Sequence, residues 1–139
     1  MGRSRYLCSC SIIMRKVILS FGHAREGLIH AFVRERNFRL FCIGYIFLLG
    51  FGYFLRLSPA EWVAILLSGG VFLAIELLNT ALERLVDTVD ELRKTEPSAV
   101  PYHLGLKATK DTAAAAALVS LIFFIAIAGI IFGPYIGVF

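Results

Sequence analysis

The sequence predicts an all-α integral membrane protein: an N-terminal amphipathic surface helix followed by three transmembrane helices, in one domain of a 139-residue chain. Three observations carry this reading. Hydrophobic residues make up 58% of the chain and mean hydropathy is +0.78, well above an ordinary soluble domain. The 17% of charged residues is unevenly spread, with none between Arg39 and Arg56, none between Glu61 and Glu76 and none from residue 112 to the C-terminus. A helix crossing the bilayer needs roughly 20 mostly apolar residues, and each run meets this once its flanks are included. Finally, the basic residues alternate between connectors. Arg3, Arg5, Arg15, Lys16, Arg25, Arg34, Arg36 and Arg39 precede the first span, and Arg84, Arg93, Lys94, Lys107 and Lys110 follow the second, whereas Arg56 stands alone after the first. The positive-inside bias therefore predicts a multi-pass membrane protein with a cytoplasmic N-terminus and an external C-terminus. The net charge of +4 reports topology and anionic lipid rather than nucleic acid.

The elements follow in order. Residues 1–14 read as an N-terminal extension ahead of a membrane domain over 15–139; basic residues interrupt its apolar segment, which argues against a cleaved signal. Residues 15–37 mix apolar and charged positions at helical spacing, as a basic helix lying on a membrane surface does. The first span covers about 38–57, and Gly44, Gly50 and Gly52 within it favour close helix packing over a nucleotide loop. "SPAE" at 58–61 is a helix start, with Ser58 as cap, Pro59 in the first turn and Glu61 completing a capping box. The second span runs over about 59–87 and begins with Trp62 at the depth where aromatic anchors collect. Pro97, Pro101 and Gly105 mark a loop over 92–109. The third span covers about 110–133, capped by Thr109 or Asp111, and its alanine-rich first half allows a neighbouring backbone or a ligand to come close.

One stretch resists a purely structural reading. In "AIELLNTALERLVDTVD" (74–90), helical periodicity puts Glu76, Asn79, Thr80, Glu83 and Asp87 on one face, while Leu77, Leu78, Leu82 and Leu85 point elsewhere. A helix emerging into water accounts for Asp87 and Asp90. It does not account for Glu76, where a charge in the bilayer costs roughly 2.5–3.5 kcal/mol and marks a functional group by default. Carboxylates at a membrane edge, with Lys110 and Asp111 opening the next span, suit phosphoryl transfer. Magnesium takes one or two carboxylates plus substrate phosphates, a lysine neutralises phosphate, and a deeper carboxylate activates a lipid hydroxyl. The spacing alone leaves two other readings open: a small proton-coupled transporter and a non-catalytic membrane scaffold. The cysteines, Cys8, Cys10 and Cys42, have neither metal nor disulfide spacing.

"AIELLNTALERLVDTV" (74–89) together with "KATKDTAAAAALV" (107–119) resembles the small bacterial integral-membrane diacylglycerol kinases, a family that includes undecaprenol kinases. "AREGLIHAFVRERNFR" (24–39) is similar to the same family's surface helix and entry to its first span. The resemblance extends over residues 15–133 and implies ATP:lipid phosphotransfer with Mg²⁺, in a homotrimer whose active sites are shared between subunits at the cytoplasmic interface. It implies Glu76 as catalytic base and Glu35 and Glu83 as metal ligands that also meet the nucleotide. Lys110 and Asp111 match the nucleotide-contacting pair, and Lys16 a basic residue near nucleotide and lipid. Asn79 lies beside the reacting groups on the substrate side. His23 stands where relatives carry an aromatic residue at the nucleotide, and Ala114 where some carry a small polar residue at the substrate. Tyr102 and His103 recur before the third span in relatives. The connector over 88–109 is longer than the family's usual one.

Overall fold

The computed structural model describes residues 3–95 and 104–137. The chain divides into two compact units, residues 1–36 and 37–139.

In the first unit, helix α1 runs over Arg3–Arg34. It begins well before residue 15, because nothing between Arg3 and Met14 breaks a helix. From Met14 to His30 every side chain is exposed, Val17, Ile18, Phe21 and Leu28 as much as the basic residues between them. Glu35 is non-helical, yet its N–H still bonds Ala31 O at 2.9 Å.

Among its described residues, the second unit holds three helices long and apolar enough to cross a membrane. Helix α2 spans Arg36–Leu55 and ends in a Schellman-type turn, with Leu57 N–H bonding Gly52 O and Arg56 N–H bonding Tyr53 O, both at 3.2 Å. Arg56 takes the left-handed conformation this turn requires (φ 57°), a position where glycine is usual and a side chain costs about 1–2 kcal/mol. The turn swings Leu57 back into the core, so α2 stops two residues short of the expected boundary.

Helix α3 spans Pro59–Lys94. Its start bears out the sequence: Ser58 Oγ accepts from Glu61 N–H at 3.4 Å, and Glu61 Oε2 accepts from Ser58 N–H at 2.7 Å. Trp62 packs against the cluster containing Leu57, closing a hydrophobic staple around the cap. The 36 residues of α3 span about 54 Å at 1.5 Å each. That exceeds the roughly 30 Å of hydrocarbon in a bilayer, so one end of α3 projects beyond it.

Helix α4 spans Leu104–Phe132 and is followed by a 3-10 turn, Gly133–Ile136. The loop expected over 92–109 is therefore shorter, since its last six residues already belong to α4. Thr109 and Asp111 are interior residues rather than caps, and Thr109 Oγ1 donates to Gly105 O at 2.9 Å. Nothing in 104–108 opposes the extension. Pro97, Pro101, Tyr102 and His103 lie outside the described residues, as do the side chains of Cys8 and Cys10.

α3 and α4 pack along matched stripes. Ile65, Gly69, Phe72, Glu76 and Thr80 are buried along α3, and Ala113, Ala117 and Ile131 along α4. Ile65, Leu57, Ile131 and Phe132 form the core at one end. Midway, Phe72 stacks on Phe124 (5.6 Å between centroids) and meets Phe41 edge-on (4.9 Å). Tyr45 of α2 crosses Gly69, where a Cβ would overlap its ring, and its hydroxyl donates to the carbonyls of Ile65 and Leu66 at 3.3 Å.

Candidate functional site

The polar stripe begins one turn beyond Phe72. Glu76 is 9% exposed and Thr80 7%, so both are as buried as the hydrocarbon core. Leu78, beside them in sequence, is 63% exposed, which separates the two faces of α3. The next turn carries an amide–carboxylate pair, in which Asn79 Nδ2 donates to Glu83 Oε1 at 3.3 Å. A carboxylate accepts only, so this bond fixes which way the Asn79 amide faces. Its Oδ1 is then buried with no hydrogen-bond partner, an unused acceptor in the polar stripe.

One turn further, Asp87 accepts from Lys110 Nζ at 2.8 Å. This pair ties α3 to α4 and brings the lysine to the polar stripe. Asp87 is largely exposed, so the pair contributes at most about 1 kcal/mol and is readily exchanged for another anion. Asp90 ends the stripe, held by Arg93 at 2.7 Å and Lys94 at 2.6 Å.

Other expected residues are placed as follows. Asp111 is exposed beside Lys110, and Ala114 is exposed one turn further along α4. Lys16, His23 and Glu35 belong to the other unit. Lys16 and His23 are exposed on α1, and Glu35 is half-buried at its end. The structure thus gathers Glu76, Asn79, Glu83 and Lys110 along one helix pair.

Beside the stripe lies an open groove of about 930 Å³ between α3 and α4, lined by Leu67, Val71 and Ile75 on one side and Ala115, Ala116, Val119 and Phe123 on the other. Its hydroxyls are all engaged within their own helices: Ser68 with Ile65 O at 3.3 Å, Thr112 with Ala108 O at 2.7 Å and Ser120 with Ala117 O at 2.8 Å. The groove wall is therefore hydrocarbon in effect, and it reaches Ile75 and Thr112 at the level of Glu76. The alanines of α4 were its only sequence signal; the engaged hydroxyls had none.

Residues 22–132 match the family model described as prokaryotic diacylglycerol kinase. The chain belongs to this family. Within the prokaryotic diacylglycerol kinases, it is 37% identical over 122 residues to the undecaprenol kinase of Bacillus subtilis (strain 168), covering 87% of this chain and 91% of that one. It is 31% identical over 119 residues to the diacylglycerol kinase of Synechocystis sp. (85% of this chain, 63% of that one). A diacylglycerol kinase of Helicobacter pylori (strain 26695) is 27% identical over 115 residues, 83% of each chain. Membership of this kinase family agrees with the three apolar helices in marking a membrane protein and a lipid kinase.

No group of three or more His, Cys, Asp or Glu side chains gathers among the described residues. Magnesium takes one or two protein carboxylates and keeps waters and substrate phosphates. The carboxylate oxygens of Glu83 are of the right chemical kind.

Proposed function

We propose that the protein moves the γ-phosphate of ATP to a lipid hydroxyl at the cytoplasmic face of the bacterial inner membrane. The observation that carries this reading is the burial of Glu76 at the groove's level, with Asn79–Glu83 over the next two turns and Asp87–Lys110 about three turns further on. Glu76 accepts the proton of the lipid hydroxyl, and burial keeps competing water from that carboxylate. The hydroxyl's single proton goes to Glu76, so the unpartnered Oδ1 of Asn79 accepts from a water or another donor beside the reacting groups. Lys110 leaves Asp87 for the nucleotide's phosphates, with Asp111 beside it. Glu83 and Glu35 are the carboxylates that would hold Mg²⁺, which would neutralise charge on the transferring phosphate. Lys16, His23 and Ala114 contribute around nucleotide and lipid. The reading includes a homotrimer with active sites shared between neighbours, a cytoplasmic N-terminus and an external C-terminus. The basic residues around the acidic end of α3 support that orientation.

The apolar groove supports a substrate that is hydrocarbon along its length and polar at one end. Diacylglycerol and undecaprenol, the substrates in the relatives' names, both meet this description. The test is purified protein in lipid nanodiscs with labelled ATP, Mg²⁺ and a panel containing both alcohols. Labelled lipid is expected, and Glu76→Gln is expected to lower turnover about 10²–10⁴-fold, the usual contribution of a general base, with nucleotide binding retained. Full turnover in Glu76→Gln removes Glu76 from the mechanism. No labelled product from any alcohol removes the kinase reading.

A further inference from the structure

We propose that the cavity beside Arg56 binds the phosphate of an anionic phospholipid headgroup. The cavity, of about 520 Å³, is lined by Tyr53, Phe54, Arg56 and Trp62 and lies at the end of α3 remote from the acidic stripe. Arg56 is the sole Lys or Arg between Arg39 and Arg84. It occupies the left-handed position of the α2–α3 turn, where glycine would sit without strain. The turn alone gives no reason for an arginine there, and an outlier of this kind points to a use for the side chain.

The surroundings define that use. The nearby carboxylate in sequence, Glu61, is committed to the Ser58 cap and accepts from Tyr135 Oη at 3.4 Å. Arg56 takes part in none of the ion pairs among the described residues. The cavity therefore offers an uncompensated guanidinium among three aromatic rings. Two of these, Tyr53 and Phe54, are 81% and 80% exposed, as rings at headgroup depth are. Rings alone would attract a choline ammonium, but the cation standing among them opposes it. A guanidinium pairs with phosphate through two parallel N–H bonds. A phosphate whose headgroup carries no cation, as in phosphatidylglycerol, is the ligand that fits.

Trp62 lines the cavity and is the chain's single tryptophan, so its fluorescence reports the occupant. The experiment places the full chain in nanodiscs that mix phosphatidylglycerol and phosphatidylcholine, brominating one and then the other. Quenching of Trp62 is expected to show about a fivefold preference for phosphatidylglycerol, the factor one basic side chain contributes near an anionic surface. Arg56→Gly is expected to abolish the preference while melting no lower than wild type, since glycine relieves the turn. Arg56→Lys is expected to keep part of it. Equal quenching by both lipids in the wild type, or a preference that survives Arg56→Gly, overturns the proposal. So does displacement of brominated phosphatidylglycerol by millimolar inorganic phosphate, which would make the ligand a soluble anion.

Discussion

Around Ile65, α3 meets α4 through hydrocarbon alone. Around Glu76, about three turns along the same helix, the contact stripe carries a carboxylate, a hydroxyl and an amide. The partners on α4 change accordingly: Ile131 and Phe132 fill the first end, whereas Ala113 and Ala117 face the second. In a bilayer, apolar surface gains little by leaving lipid for protein, so the first end is held by close packing. At the second end, Glu76 and Thr80 are equally buried, but the buried residues of α4 are alanines rather than bulky side chains. One end of the helix pair is closed by bulky hydrocarbon, and the other holds the polar groups proposed to meet the reactants.

Substitutions at the two ends should separate stability from turnover. The largest effect belongs to Glu76→Gln. Its loss of about 10²–10⁴ in turnover should come with a melting temperature equal to or above wild type, because a buried charge becomes a neutral amide. A melting temperature well below wild type would make Glu76 a structural residue. At the closed end the pattern should reverse. Gly69→Ala drives a methyl group into the Tyr45 ring and displaces its hydroxyl from two carbonyls, with an expected cost of about 1–3 kcal/mol. Ile65→Ala leaves a void with an expected cost of about 2 kcal/mol, read from denaturation in mixed micelles. Turnover per folded molecule should change little in either. Lys110→Met belongs to the reactive end. A charge-assisted bond of about 1.5–3 kcal/mol corresponds to a rise of roughly 10–100-fold in KM for ATP, with the lipid KM unchanged.

The contrast between the ends was only partly legible in the sequence. Glu76 declared itself because a carboxylate amid leucines is costly, and helical periodicity then gathered Asn79 and Glu83 to its face. The Ser58–Glu61 cap was equally plain, being a local signal of four residues. Contacts between distant segments left no such mark. The approach of Lys110 to Asp87 depends on how two helices cross, which neither helix encodes alone. The beginning of α4 was misplaced because Gly105 and Thr109 resemble loop and cap residues, yet an α-helix tolerates both when nothing else interrupts it. Arg56 was visible only as a topological charge, because a left-handed arginine obeys no local preference.

The smallest expected effect tests whether the closed end is held by its core or by the turn leading into it. Ser58 caps α3, and Glu61 both completes the box and accepts from Tyr135 in the C-terminal 3-10 turn, so one carboxylate joins the start of α3 to the end of the chain. Ser58→Ala removes the acceptor for Glu61 N–H and should cost about 1 kcal/mol, the usual value for a lost cap. Glu61→Gln keeps an acceptor oxygen but loses the charge at the helix N-terminus, and should cost about 0.5 kcal/mol. If the two ends are energetically separate, both variants should lower the melting temperature slightly and leave KM for ATP and lipid untouched. If the double variant instead shifts either KM by more than the melting data account for, the Ser58–Glu61 cap is coupled through α3 to the polar stripe, and the separation of the two ends does not hold.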